Sequence, residues 1–291
     1  YNWLMLLNDQ YTDEEKLDAL TSITLEDVKA FAKTLYDKVY VTGMIHGNWS
    51  DKEAQESVEM LLSALGSKPL PENERFEQLV KVIPGGEQIQ FSREVEDNNN
   101  SLAYAIQVGE KEPSLLAKAS IIASIVESDF YTQMRTNQQL GYIVWSFNQR
   151  IEDRVFFRLV IQSSTHGPFE MSKRVNTWLV STEKLFANLT DQEFKRHQQS
   201  LVIGLEKEGD SIGAIAGELY SLAADEKGDF LYKKKMIQAV KNLKREEVVK
   251  AAGKIFIDPA TPRLEVLMRA KGSQEMVPEG VITEVSQFPT H

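Results

Sequence analysis

Cysteine is absent from this chain of 291 residues. Its absence excludes a disulfide framework, a thiol nucleophile and a thiolate metal site. The chain also lacks any apolar run near the roughly 20 residues that a membrane-spanning helix needs. An excess of basic residues is missing too, because 43 acidic side chains outweigh 33 basic ones and leave a net charge of −10. That balance argues against a nucleic-acid partner, which requires a basic face.

Histidine is scarce, which limits the metal chemistry that the chain can perform. None of the four histidines has another histidine within four residues of it. Glu193 and His197 share a helical face at spacing i and i+4, but they supply only two ligands, and a catalytic zinc takes three from the protein. We interpret them as an amphipathic surface pair; a free-standing metal enzyme built on them is the alternative.

Composition indicates a globular chain with room for two domains. Hydrophobic residues make up 42% of the sequence and charged residues 26%, which is typical of folded proteins. The sequence opens with Tyr1 and has no initiator methionine, so we expect it to be cut from a longer protein.

Hydrophobic periodicity and turn residues predict the elements of the fold. Thr24 is the predicted N-cap of the second helix, with Asp27 in the place of the Glu of a full capping box. Early strands, late helices and one returning strand indicate an α+β domain, in which a mostly antiparallel sheet has helices packed on one face. Helices are predicted at 13–20, 25–36, 51–65, 114–127, 169–185, 191–205, 212–224, 230–240 and 245–255. Strands are predicted at 39–45, 78–83, 87–95, 101–107, 142–149, 154–162 and 263–268.

A loose internal repeat divides the chain. The helix that begins at Leu25 and the strand after it line up with the helix that begins at Arg245 and the strand after it. Only the second helix and strand have a domain's length of chain before them. We therefore predict that residues 1–66 are the C-terminal remnant of a preceding homologous domain. Residues 67–74 are the predicted linker, 75–275 a complete α+β domain and 276–291 a C-terminal tail.

One helix-to-strand junction carries the main functional prediction. Arg135 is placed on the last turns of a helix and Tyr142 on the strand that follows, with Gly141 between them as a stop with positive φ. A guanidinium and a phenol that point to one place suit an anionic or carbonyl-rich ligand, such as a peptide backbone. A purely structural role is the alternative, with Arg135 capping helix carbonyls and Tyr142 half buried.

The sequence of this junction resembles that of a known family. The pattern Arg-Thr-x-x-Gln-Leu-Gly-Tyr, from Arg135 to Tyr142, is similar to the C-terminal half of the pitrilysin and insulin-degrading-enzyme (inverzincin) family of zinc metallopeptidases. The order of elements from about residue 21 to residue 270 looks like the last one and a third domains of that family. A bacterial protease III-like enzyme is the member that we expect.

The resemblance implies roles for three residues. Arg135 and Tyr142 would reach across a closed chamber and hold the substrate backbone, and Tyr142 would donate toward the scissile carbonyl as it becomes an oxyanion. Tyr131, four residues before Arg135, would line a substrate side-chain pocket. A core position is the alternative for Tyr131, and Phe130 competes with it for the role.

The family's catalytic motif, His-x-x-Glu-His, does not occur in this sequence. We therefore expect no catalytic residue, no metal site and no cofactor in this chain, which should not hydrolyse peptides alone; the zinc is expected in a missing N-terminal half. The partners implied are that half and peptide substrates, with no nucleic acid and no membrane span. The runner-up is an inactive member of the family that only holds an assembly together. The acidic, cysteine-free chain favours a periplasmic over a cytoplasmic location.

Overall fold

The computed structural model describes residues 1–288, so His291 and the last residues of the predicted tail lie outside it. Ten helices form within this range: α1 Asn2–Leu6, α2 Asp13–Ser22, α3 Leu25–Thr34, α4 Asp51–Leu65, α5 Pro113–Tyr131, α6 Pro168–Ala187, α7 Asp191–Glu206, α8 Ile212–Ala224, α9 Tyr232–Asn242 and α10 Arg245–Phe256. Seven strands form within it: β1 Lys38–Val39, β2 Lys68–Pro69, β3 Gln88–Glu94, β4 Asn100–Glu110, β5 Ile143–Ile151, β6 Arg154–Ser163 and β7 Arg263–Arg269.

The described chain forms two compact units. The larger contains Tyr1–Gln10, Leu79–Glu206 and the chain from Lys234 onward, and the smaller contains Tyr11–Gln78 and Lys207–Lys233. These limits differ from the predicted domains, because the first ten residues join the larger unit and Lys207–Lys233 joins the smaller. That residues 1–66 derive from a preceding homologous domain stays a prediction.

A five-stranded sheet is the centre of the larger unit. Its strand order is β3-β7-β4-β6-β5. The pairs β7–β4, β4–β6 and β6–β5 are antiparallel, and β3 alone pairs in parallel, with β7. The predicted α+β class with a mostly antiparallel sheet is therefore confirmed. β5 and β3 are the two edge strands.

Helices α5, α6 and α10 pack on one face of this sheet, as predicted. Aromatic side chains fill the layer between them. Phe157 of β6 meets Phe256 of α10 edge to face at 4.9 Å between ring centroids, and Phe130 of α5 meets Trp178 of α6 at 4.7 Å. Such pairs add about 0.5–1.5 kcal/mol each beyond the area that they bury.

The opposite face of the sheet is also partly covered, which the sequence analysis did not predict. Met5 and Leu6 of α1 are completely buried, in a cluster with Phe91 of β3, Phe156 of β6 and Phe288 of the tail. The covered part lies over β3, β7 and β4 and reaches Phe156 of β6 and Ile151 at the end of β5. Toward β5 the same face is more open, and Trp145 there is 58% exposed.

The smaller unit is built from α2, α3, α4 and α8. Thr12, Thr24 and Ser50 cap the first three of these helices, each in a full capping box. The box of α3 uses Asp27 at its third position, as predicted, because a shorter carboxylate also reaches the cap N–H. None of α2, α3, α4 and α8 has a buried residue, and the apolar stripe of α3 is exposed.

Two predicted strands are wrong. The run 39–45 forms a strand only at Lys38–Val39, and the run 78–83 forms none, apart from one bridge between Leu7 and Val80. Both runs are apolar and rich in branched side chains, but a strand requires a neighbour for its N–H and C=O groups. Lys38 and Val39 pair with the two-residue β2, which ends the ladder.

Candidate functional site

The site begins where α5 changes its winding. After Tyr131 the chain forms a π-helical turn, Thr132–Asn137, in which the N–H of Gln138 donates to the carbonyl of Gln133 at 3.1 Å. Met134 within the turn and Leu140 after it are completely buried and hold the turn in place. Such wide turns occur frequently at functional sites, and this one contains Arg135.

Gly141 does not have the predicted positive φ. Gln139 has it instead, with φ of 53°, and so it makes the reversal that was expected of the glycine. Gly141 is required for another reason. A Cβ atom there would lie 1.9 Å from the backbone oxygen of Gln162, so only glycine lets the junction pass this close to β6.

The structure brings Arg135 and Tyr142 together. The guanidinium carbon of Arg135 lies 4.9 Å from the centroid of the Tyr142 ring, within the range of a cation–π contact. Nη1 of Arg135 also donates to the carbonyl oxygen of Gly141 at 2.5 Å. Part of the guanidinium is thus fixed by the junction, and the remaining donors can serve a ligand.

Tyr142 is exposed rather than half buried. Its side chain is 84% accessible, directly before the first residue of β5. That value contradicts the structural alternative for Tyr142. The structural alternative for Arg135 is partly right, since it does bind a backbone carbonyl, although that of Gly141 rather than one of a helix end.

A cleft of about 450 Å³ lies at these two side chains. Its lining offers amide, hydroxyl and guanidinium groups, and among the lining residues of the described chain none is acidic. Donor-rich, carboxylate-free walls favour a ligand with carbonyl or anionic oxygens. The cleft is lined by Asn99, Arg135, Gln139, Gly141, Tyr142, Gln162, Ser163, Ser164 and Thr165.

Tyr131 and Phe130 have separate positions. Phe130 is completely buried against Trp178, so it belongs to the core. Tyr131 is 49% exposed at the end of α5 and is not part of the cleft lining. The core alternative for Tyr131 is therefore wrong, and its role as a pocket residue stays a prediction.

Sequence reasoning missed the wall that β6 contributes. Ser163 and Thr165 line the cleft, and His166 beside them is tied to both: its N–H donates to Oγ of Ser163 at 2.9 Å, and its Nδ1 lies 3.0 Å from Oγ1 of Thr165. The run of hydroxyl residues directly after an apolar strand was the signal that could have found this wall.

Glu193 and His197 do not form a metal pair. The carboxylate of Glu193 accepts from the N–H and hydroxyl of Thr190 in a capping box, and these hydrogen bonds lower its pKa. Nδ1 of His197 lies 2.8 Å from Oγ of Ser124, and burial lowers the pKa of the imidazole. Within residues 1–288 no group of three potential ligands could hold a metal ion, so these residues do not fit zinc.

Within residues 1–288, no helix is both long enough and apolar enough to cross a bilayer.

A family model matches the part of the chain that contains the site. Residues 121–219 match domain 4 of the C-terminal lobe of PQQ synthase PqqF-like proteins. This range includes Tyr131, Arg135, Tyr142 and the cleft wall of β6.

Curated relatives extend the match over most of the chain. A nardilysin-like protein of Arabidopsis thaliana is 26% identical over 82% of this chain and 24% of its own length. Insulin-degrading enzyme-like 2 of the same plant is 31% identical over 70% of this chain and 22% of its own length. The chain thus spans about a quarter of the length of these relatives.

Solved structures share the fold. The crystal structure of pitrilysin matches with a TM-score of 0.78 and 22% identity, over 96% of this chain and 30% of its own. A ferredoxin protease, in complex with Arabidopsis ferredoxin, matches with a TM-score of 0.61 and 15% identity, over 90% of this chain and 28% of its own.

Proposed function

The chain belongs to the pitrilysin and insulin-degrading-enzyme family and corresponds to its C-terminal half, and on that premise we propose that it is the non-catalytic C-terminal portion of a zinc metalloendopeptidase. In this role it forms one wall of the substrate chamber and contacts the peptide backbone near the scissile bond. Zinc and the catalytic base belong to an upstream half of the same polypeptide, since the relatives are about three and a half times as long as this chain.

One observation carries the proposal: Arg135 and Tyr142 converge on a single cleft, and the described residues that line it offer no carboxylate. An acidic lining would repel the carbonyl oxygens of a substrate, whereas these two side chains donate to them. A protein that only holds an assembly together has no need for two donors at one cleft.

Arg135 and Tyr142 have different roles toward the substrate. Arg135, held by the carbonyl of Gly141, positions the peptide through a substrate carbonyl, which acts mainly by orientation. Tyr142 donates to the carbonyl oxygen that becomes negative during hydrolysis. A preorganised donor of this kind contributes typically about 10²–10³ in kcat.

Tyr131 serves specificity rather than rate. It lies at the end of α5 with half of its surface accessible, so its ring can contact a substrate side chain without touching the reacting carbonyl. Tyr131→Ala is expected to change which side chain is preferred beside the cleaved bond while kcat for the best substrate stays similar.

A complementation assay tests the proposal. The chain is mixed with the separately expressed upstream half of its parent, and hydrolysis of an unstructured peptide is followed with zinc present. Tyr142→Phe removes one hydroxyl and is expected to lower kcat by about 10²-fold or more. Tyr11→Phe removes a hydroxyl from another exposed tyrosine and serves as the matched control, with unchanged kcat.

Three outcomes separate the hypotheses. Activity that requires both halves and falls only with Tyr142→Phe supports the substrate-holding role. Halves that bind each other and cleave equally fast with Tyr142→Phe contradict the donor role. Halves that bind and never cleave leave the assembly-only member of the family as the better description.

A further inference from the structure

The two edge strands of the five-stranded sheet, β3 and β5, differ in whether another segment pairs with their outer side. The outer side of β3 is covered by the C-terminal tail: the N–H of Ile282 donates to the carbonyl of Gln90, and its carbonyl accepts from the N–H of Ser92, both at 2.9 Å. β5 pairs with β6 along its whole length, and in the described chain no strand pairs with its other side.

β5 also carries little of the protection that edge strands usually have. Proteins commonly guard such edges with proline, charged side chains, a bulge or a very short strand. β5 is nine residues long, has no proline, carries one charged side chain, Arg150, near its end, and pairs with β6 in one uninterrupted register from Ile143 to Ile151. Its outer N–H and C=O groups, contributed by every second residue, are therefore arranged for another strand.

Side chains along β5 suit an extended neighbour. Val144 and Ser146 are buried on one face of the strand, while Ile143, Trp145 and Phe147 lie on the other. Trp145 is more than half exposed there. Aromatic and branched side chains on one face can pack against every second side chain of an added strand.

The edge is continuous with the cleft. β5 starts at Ile143, directly after Tyr142, so a strand added to β5 has one end beside the Arg135–Tyr142 pair. We propose that the outer edge of β5 binds an extended peptide segment as a sixth strand and delivers its backbone to Arg135 and Tyr142. The inference rests on the proposed function and adds how the substrate is held: by main-chain pairing, in a register set by the apolar side chains of the peptide that pack against Ile143, Trp145 and Phe147.

Paired N-methylated peptides test this directly. The probe is a fluorescein-labelled ten-residue peptide in which valine and threonine alternate, and its binding to the 291-residue chain is measured by fluorescence anisotropy. Two isomers carry N-methyl groups on the valines or on the threonines. Because an added strand donates from alternate residues only, one isomer should bind at least about tenfold more weakly while the other binds like the parent. Equal affinities of the two isomers overturn the proposal.

A pair of variants locates the binding. Trp145→Lys places a charge on the proposed edge and is expected to weaken peptide binding at least about tenfold. Ile203→Lys makes a similar change at an exposed apolar position of α7 and is the control, with unchanged affinity. Amide hydrogen exchange supplies a second measurement: alternate amides between residues 143 and 151 should become protected when the peptide binds. Binding without such protection overturns the proposal even if Trp145→Lys reduces affinity.

The results distinguish this inference from the function on which it rests. Peptide binding that is lost with Arg135→Gln but insensitive to the position of N-methylation removes the edge and leaves the proposed function. Binding that depends on N-methylation while Tyr142→Phe leaves complemented activity unchanged supports the edge and contradicts the donor role. A peptide that does not bind at all refutes the edge, and a β5-mediated dimer of the chain would then explain why it is unguarded.

Discussion

At the scale of single residues, the junction depends on a glycine for a reason that the sequence does not reveal. Gly141 passes so close to the carbonyl of Gln162 that a methyl group cannot fit. Gly141→Ala is expected to destabilise the chain by at least about 1–3 kcal/mol, since backbone on both sides must move. Gly253→Ala, inside α10 with no neighbour within 4 Å, should instead stabilise by about 0.5–1 kcal/mol. Urea unfolding measures both, and a Gly141→Ala chain as stable as wild type would contradict the close approach.

A second residue links stability to pH. Glu265 of β7 is buried, with a hydroxyl of Ser172 and an amide of Gln90 as donors, and burial raises its pKa above the ordinary 4.5. The folded chain therefore binds this proton more tightly than the unfolded chain does. The stabilisation is fully present below the ordinary pKa and is lost as the pH rises through the raised one.

Glu265→Gln should consequently raise the Tm at about pH 8, and its advantage over wild type should shrink toward about pH 4. Glu183→Gln removes the same charge from an exposed position of α6 and is the control. Thermal unfolding across this pH range measures the difference. An advantage of Glu265→Gln that is equal at both ends of the range would show that the carboxyl does not titrate differently in the folded state.

At this scale the sequence predicted what depends on local pattern and on type of residue. It predicted that Arg135 and Tyr142 point to one place. In the structure the guanidinium carbon of Arg135 lies 4.9 Å from the centroid of the Tyr142 ring. It assigned the wrong reason to Gly141, because the approach of β6 is a contact between segments about twenty residues apart. The roles of Arg135, Tyr142 and Tyr131 toward a substrate stay predictions.

At the scale of elements, the tail guards an edge that would otherwise be open. Ile282→Pro removes the N–H that donates to Gln90, at a cost of about 1–3 kcal/mol. Met276→Pro, at an exposed position of the same tail, should cost much less. Urea unfolding of the two variants measures the difference, and equal stabilities would mean that the tail does not hold β3.

Helices were predicted better than strands and better than the turn at the site. The predicted bounds of α4 and α8 agree with the structure, since apolar spacing and capping residues are local signals. The runs 39–45 and 78–83 failed because a strand depends on a partner elsewhere in the chain. The π-helical turn has no sequence signal, because its extra residue is accommodated by the burial of Met134 and Leu140.

At the scale of the whole molecule, we expect an exposed apolar stripe on α3 to promote self-association in solution. Phe31 is 65% exposed, and Leu25, Val28 and Leu35 beside it are exposed as well. Exposed apolar patches promote association. Phe31→Glu should therefore reduce concentration-dependent self-association of the chain, measured by light scattering after size exclusion. Ala30→Glu adds the same charge on the other side of α3 and should have no such effect; equal behaviour of the two variants would exclude the stripe as the cause.

Fold class followed from the order of elements, whereas the division into units did not. Lys207–Lys233 joins residues that precede it by more than a hundred positions. No pattern within Lys207–Lys233 indicates that partner, because the contact is made by two segments that are each ordinary amphipathic sequence. The family follows from the similarity to known proteins, whereas the positions of Arg135 and Tyr142 follow from the helix-to-strand junction that contains them.

The tail that occupies the outer side of β3 has a consequence for how far the sheet can grow. Within residues 1–288, Ile282 occupies the middle of that side, so the five-stranded sheet has β5 as its open edge. If two copies meet through β5, each uses the single open side of the other, and the joined sheet ends in a covered strand at both extremities. Growth therefore stops at two, so the chain can keep one strand available without the risk of forming fibrils.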